Sequence, residues 1–181
     1  MTVLVVGGSK SGKSAFAQNL AAKLSGDGKR YYVATMIPAD GEDRERIRRH
    51  VADRAGLGFE TLEQGRELPR CLTRVDRGGT FLLDSVTALL MNEMYPDPVT
   101  WKMDPGAGTR TAESLVEFAK GIQNGVFVAD DLSGDPKAYD PETEAFRRML
   151  SQCQSALAAL CDTVVEVVGG NTVIWKGEMP V

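Results

Sequence analysis

The chain reads as an α/β protein of the P-loop NTPase class, a mostly parallel sheet with helices on both faces and a C-terminal antiparallel hairpin. Two observations from the residues predict this class. Gly7-Gly8-Ser9-Lys10-Ser11-Gly12-Lys13-Ser14 matches G-x-x-x-x-G-K-[ST], directly behind the apolar run Val3-Leu4-Val5-Val6 and directly ahead of a helical segment. Downstream, short β-rich runs alternate with helical patterns, as in a parallel sheet covered on both faces.

The elements follow in order. The first helix is expected to run to about Leu24, where Ser25-Gly26-Asp27-Gly28 stops it. Arg30 to Thr35 is rich in strand formers. A loop over 36–41 leads to a charge-rich helix from Glu42 to about Ala55, ended by Gly56-Leu57-Gly58. A short strand over Phe59 to Glu63 and a modest helix from Arg66 to Val75 come next. Gly78-Gly79 turns the chain into Thr80-Phe81-Leu82-Leu83-Asp84, a buried strand ending in a carboxylate, with a helix over Val86 to Met94 behind it. The span 95–110 holds three prolines and two glycines and is expected as a long loop. A helix over Thr111 to Lys120, a strand over Val126 to Ala129 and a polar loop from Asp130 to Asp140 follow. Asp140 is a natural N-cap and Pro141 a natural first-turn residue for a helix reaching Leu160. Strands over 163–168 and 172–176 flank Gly169-Gly170-Asn171, a hairpin turn. One domain over 1–181 is expected, with no internal repeat.

Composition excludes several function classes. A net charge of −4 and a pI near 5.1 argue against a nucleic-acid binder held by bulk charge. No stretch approaches a membrane span, and the N-terminus passes straight into a strand, leaving no room for a leader. Cys71, Cys153 and Cys161 lack C-x-x-C spacing and suit a reducing cytoplasm; the latter two fall in a helical pattern as buried packing residues.

The P-loop residues each carry chemistry. Gly7, Gly8 and Gly12 let backbone N–H groups approach phosphate oxygens, with Ser9, Lys10 and Ser11 completing the loop. The helix starting near Lys13 aims its positive end at the same anion. Lys13 would bridge the β- and γ-phosphates, and the Ser14 hydroxyl would ligate Mg²⁺. A glycine turn with no ligand is the bland alternative. Asp84 ends an apolar strand, where such NTPases place the carboxylate that supports Mg²⁺, although an Asp there also suits a helix cap. His50 lies within Arg46-Ile47-Arg48-Arg49-His50-Val51-Ala52-Asp53-Arg54. Helical spacing puts Arg46, His50 and Arg54 on one face, with Ile47 and Val51 as the stripe that anchors the helix. A neutral histidine among guanidiniums suits nucleophilic attack on phosphorus. A solvated basic helix with an incidental histidine fits the same residues.

These segments together resemble the bifunctional adenosylcobinamide kinase/adenosylcobinamide-phosphate guanylyltransferase family of cobalamin biosynthesis. The matching pieces are GGSKSGKS, YYVATM, RIRRHVADR, FETLE, FLLDSVTALLMNEM and LAALCDTVVEVVGGNTVIWK, in the family's order. The resemblance implies phosphorylation of the aminopropanol hydroxyl of adenosylcobinamide, then GMP transfer from GTP through a guanylylated histidine, which His50 matches. It places Ala34, Thr35, Met36, Val51, Ala52, Asp53, Arg54, Glu63 and Asp84 at the nucleotide. It also implies a RecA-like parallel sheet, ATP and GTP as substrates with Mg²⁺, a corrinoid partner and a homo-oligomer. Lys10 stands where the family usually has Arg, and Asp130-Asp131-Leu132-Ser133 stands where it has Asn-Glu-Val-Gly. A P-loop small-molecule kinase that uses His50 only structurally, and a nucleotide-binding module without turnover, are the rival readings.

Overall fold

The computed structural model describes residues 1–132, 134 and 137–180. Ser133, Asp135 and Pro136, in the loop expected over 130–140, lie outside the described residues. Among the described residues, seven strands form one sheet: β1 (Thr2–Gly7), β2 (Arg30–Ala34), β3 (Phe59–Glu63), β4 (Thr80–Asp84), β5 (Asn124–Asp130), β6 (Thr163–Val168) and β7 (Asn171–Lys176). Their order is β3-β2-β4-β5-β1-β6-β7, parallel throughout except for the terminal β6–β7 hairpin. The helices are α1 (Lys13–Ser25), α2 (Gly41–Asp53), α3 (Val86–Met94), α4 (Ala107–Lys120) and α5 (Pro141–Leu160).

Strand alternation sorts the core into two layers. Val3, Val5, Leu82, Val126 and Val128 pack with Ala17, Leu20 and Ala21 of α1. Leu4, Phe81, Leu83, Phe127 and Ala129 face α3, α4 and α5 on the other side. There the rings of Tyr31 and Phe81 stack at 4.8 Å, and Phe118 meets Phe81 and Phe127 edge-on. Cys71, Cys153 and Cys161 are free and fully buried, and burial pushes the Cys153 thiol up to about 12.

Four local expectations change. The segment expected as a helix over Arg66 to Val75 is a 3-10 turn, Leu68–Thr73, with Pro69 in its first turn. Its tighter winding eclipses i and i+3, so Leu68 and Cys71 enter the core together. Helix α4 starts at Ala107 rather than Thr111, because Gly108 is packing rather than loop punctuation. A Cβ on Gly108 would lie 2.7 Å from Met149 Cγ, so glycine lets α4 close on α5. Strand β5 extends through Asp130, which pairs with Gly7 and so leaves the loop. Helix α2 has no buried residue and Val51 is 48% exposed, so the Ile47/Val51 stripe does not anchor it to the domain.

The register brings Gly7, Asp130, Asp84, Ala34 and Glu63 to one edge, because Gly7 pairs with Asp130 and Ala34 with both Asp84 and Glu63. Ligands of parallel sheets bind outside these carboxyl ends.

Candidate active site

The P-loop leaves this edge from the end of β1. A Cβ on Gly7 would come within 2.6 Å of the Val167 carbonyl oxygen, so the strand can turn there only without a side chain. Left-handed backbone at Lys10 (φ 59°) and Gly12 (φ 95°) curls the loop into a concave nest of the kind that cradles anions. The Gly170 N–H donates to the Ser11 carbonyl at 3.0 Å and ties the nest to the β6–β7 turn. No side chain caps α1, and its first turn holds no acidic residue. Its N–H groups are therefore left for an anion.

Lys13 is buried, with its Nζ 2.7 Å from Asp130 Oδ1 and donating to the Gly8 carbonyl at 3.1 Å. Asp130 is fixed in turn: its N–H donates to Thr87 Oγ1 at 2.9 Å, and its carbonyl accepts from Gln154 Nε2 at 2.8 Å.

A second corner forms around Asp84. The Tyr32 hydroxyl donates to Asp84 Oδ2 at 3.0 Å, and His50 Nδ1 lies 3.6 Å from the same oxygen. Burial, then the Asp84 charge, raises the Tyr32 hydroxyl well above its ordinary range. The helix-cap alternative for Asp84 fails, because Ser85 caps α3 by accepting from the Ala88 N–H. Thr35 is fully buried; its hydroxyl donates to the Ser85 carbonyl and accepts from the Ser85 N–H, both at 2.8 Å. Asn92 Nδ2 donates to the Thr35 and Gly65 carbonyls and holds the turn after β2 against α3.

Between α2 and this edge lies a cavity of about 520 Å³. His50, Asp84 and Glu63 line it, with Ala34, Met36, Ile37, Pro38 and Ile47 as apolar wall and Arg44, Arg46, Arg48 and Arg54 as cations. Arg54 is 8% exposed, sits 4.0 Å over the Tyr32 ring and donates to Thr61 Oγ1 at 3.2 Å. Arg46, His50 and Arg54 therefore share one face and one cavity, as their spacing implied. Val51, Ala52 and Asp53 are exposed and do not line it, and Thr35 lies behind its wall. The Asp84 corner and the P-loop are two strands apart, about 10 Å at ordinary strand spacing.

The family model of cobinamide kinase/cobinamide phosphate guanyltransferase matches residues 3–174. The bifunctional adenosylcobalamin biosynthesis protein CobP of Pseudomonas aeruginosa is 31% identical over 98% of this chain and 99% of its own length. The chain belongs to the cobinamide kinase/guanyltransferase family. It is accordingly a bifunctional nucleotide-dependent transferase of cobalamin biosynthesis. Among solved structures, an ATPase domain overlays with a TM-score of 0.56 at 13% identity, covering 99% of this chain and 78% of that one. Flagellar accessory protein FlaH of Methanocaldococcus jannaschii gives 0.53 at 15% identity, covering 98% and 79%. Both share the fold, a P-loop NTPase sheet.

For a member of this family, two site residues escaped the sequence reading. Asp130 carried the same signal as Asp84, a carboxylate closing an apolar strand. Tyr32 looked like a strand former, and only the need of a buried hydroxyl for a partner pointed further.

Proposed function

We propose that His50 carries the guanylyl step, taking GMP from GTP and passing it to adenosylcobinamide phosphate, while the P-loop holds the triphosphate. The observation that carries this reading is His50 Nδ1 beside Asp84 Oδ2 at the mouth of an arginine-lined cavity. A carboxylate facing Nδ1 orients the imidazole and leaves Nε2 as the nucleophile. Nε2 attacks the α-phosphorus, a nitrogen–phosphorus bond forms, the bridging bond to the β-phosphate breaks and pyrophosphate leaves. A phosphate oxygen of adenosylcobinamide phosphate then attacks the same phosphorus and frees His50. Arg46 and Arg54 are placed to hold phosphate oxygens, and Lys13 to neutralise the β- and γ-phosphates. Ala34, Met36 and Glu63 fall to the nucleotide in the same cavity. The kinase half transfers the γ-phosphoryl group directly, by positioning and charge stabilisation.

Ser14 and Asp84 offer hard oxygen donors, the chemistry that suits Mg²⁺ shared with substrate phosphates, and they would hold it where it neutralises phosphate charge. A cytoplasmic homo-oligomer completes the reading, supported by the family resemblance and by three unpaired cysteines.

The test is incubation with α-labelled GTP and Mg²⁺, followed by denaturing electrophoresis. Label should stay on the wild-type chain, resist alkali, leave in mild acid and be absent with γ-labelled GTP. His50→Ala should lose the adduct while retaining nucleotide affinity, since Lys13 and the loop amides remain. An adduct persisting in His50→Ala, or none in the wild type, overturns the assignment.

A further inference from the structure

A second cavity, of about 670 Å³, opens between the C-terminal half of α3 and the start of α5. Helix α3 separates it from the first: Ser85 and Ala88 line the arginine-rich cavity, whereas Met91 and Tyr95 line this one. Where the first is lined by four arginines, this one carries a single cation among the described residues, Arg147, paired with Glu144 at 3.0 Å. Tyr95, Tyr139 and Phe146 supply aromatic wall, and the carboxylates present are Asp140 and Glu142 at the start of α5. Met91, Leu132 and Tyr139 are 41%, 37% and 37% exposed, and Trp101, 59% exposed, packs on Tyr95 at 5.7 Å. Large apolar side chains gathered at one mouth mark a binding surface.

The cavity adjoins the phosphate site. Leu132 lies two residues beyond Asp130, about 7 Å of extended chain. Met91 lies one helical turn, about 6 Å, beyond Thr87, whose hydroxyl accepts from the Asp130 N–H. The Asp130 carboxylate itself touches Lys13 Nζ at 2.7 Å.

We propose that this cavity binds the corrinoid acceptor and directs its alcohol at Asp130, which takes the hydroxyl proton during phosphoryl transfer. The proposal rests on the reading that the triphosphate sits on the P-loop. A corrinoid is a large macrocycle with methyl and carboxamide edges around a cationic cobalt. One edge of the ring and its alcohol arm match a pocket of this size, aromatic and methionine contacts match its methyl edge, and Asp140 and Glu142, with Arg147 held by Glu144, leave a lining of net negative charge that matches its cation. The arginine cavity suits the anionic nucleotide instead. When the triphosphate draws Lys13 to its phosphates, Asp130 is released toward the acceptor. The alcohol oxygen bonds to the γ-phosphorus, the bond from that phosphorus to the β,γ-bridging oxygen breaks, and the nucleoside diphosphate leaves. The alcohol's proton goes to Asp130 and then to water.

The experiment pairs equilibrium dialysis of adenosylcobinamide with steady-state phosphorylation of the same compound. Met91→Asp and Leu132→Asp alter exposed cavity positions and should each weaken corrinoid binding by about tenfold or more, the equivalent of about 1.4 kcal/mol. Asp130→Asn should lower the phosphorylation kcat by about a hundredfold with little change in corrinoid KM, the signature of a lost general base. Far-UV circular dichroism and thermal unfolding report that each variant is folded. Unchanged corrinoid affinity in both cavity variants overturns the site, and an unchanged kcat in Asp130→Asn overturns the base. No GMP adduct in the wild type, with corrinoid affinity still lost in Met91→Asp and Leu132→Asp, refutes the His50 reading and leaves this one standing.

Discussion

Tyr32→Phe removes one hydroxyl and keeps the ring, so it isolates the bond that seats the Asp84 carboxylate. Tyr32 is 3% exposed, and its ring lies under Arg54 and edge-on to Phe59, contacts that phenylalanine retains. What goes is the 3.0 Å hydrogen bond to Asp84 Oδ2. A hydrogen bond to a charged group contributes about 1.5–3 kcal/mol. For a chain of this length that is a fall in Tm of about 3–12 °C near neutral pH. The pH dependence adds a sharper signature. The folded-state pKa of Tyr32 is raised, so between the unfolded value of about 10 and the folded value the unfolded chain has lost the proton and the native one has kept it. The Tyr32 contribution is therefore complete below about pH 10 and is lost above it, at about 1.4 kcal/mol per pH unit. By about pH 11.5 the gap between wild type and Tyr32→Phe should have narrowed by about 2 kcal/mol. Urea unfolding followed by circular dichroism across that range measures both quantities. Equal stability at neutral pH, or curves that stay parallel into alkali, would refute the assignment of the Tyr32 hydroxyl as a buried donor to Asp84. GMP labelling should also slow in this variant, because the carboxylate facing His50 loses its fixed partner.

Two further perturbations test the phosphate edge. Asp84→Asn keeps size and removes charge, so labelling and phosphorylation should fall and require more Mg²⁺; a titration whose midpoint does not move removes Asp84 from the metal. Gly7→Ala puts a Cβ 2.6 Å from the Val167 carbonyl oxygen and 2.7 Å from Ser11 Oγ. Because β6 is paired to β1, that carbonyl has little room to retreat, and a loss of about 1–3 kcal/mol together with weaker GTP binding is expected. Wild-type melting and GTP affinity in Gly7→Ala would show that the loop is not packed against β6 in solution.

The parts of the site that were legible in the sequence are those fixed by local rules. G-x-x-x-x-G-K-[ST] between strand and helix places the anion nest, and a carboxylate ending an apolar strand places Asp84, because both depend on near neighbours only. Helical spacing correctly put Arg46, His50 and Arg54 on one face. It misjudged how α2 is held, because an Ile and a Val one turn apart say nothing about whether a surface exists to bury them. Gly108 was misread for a similar reason: its meaning lies in Met149, forty-one residues away and on another helix. The pairing of Lys13 with Asp130 was equally out of reach, since it follows from β5 lying beside β1.

The way α2 is held bears on the chemistry. With no buried side chain, the helix meets the domain through polar contacts: Arg54 at its C-terminal cap, over Tyr32 and donating to Thr61 Oγ1, and His50 facing Asp84. A nucleotide in the arginine cavity would fill the space that hydrophobic contacts fill under the other helices, with its phosphates answering Arg46 and Arg54. Binding energy that would otherwise be independent of α2 then also seats it, because a ligand that prefers the seated arrangement stabilises that arrangement by mass action. On the proposed reading the nucleophile would thereby be positioned by its own substrate, and the polarity of α2, which makes it a poor packing element, is what would allow this. A helix anchored by a full apolar stripe would hold His50 equally well with the cavity empty, and the phosphates would add nothing to its alignment.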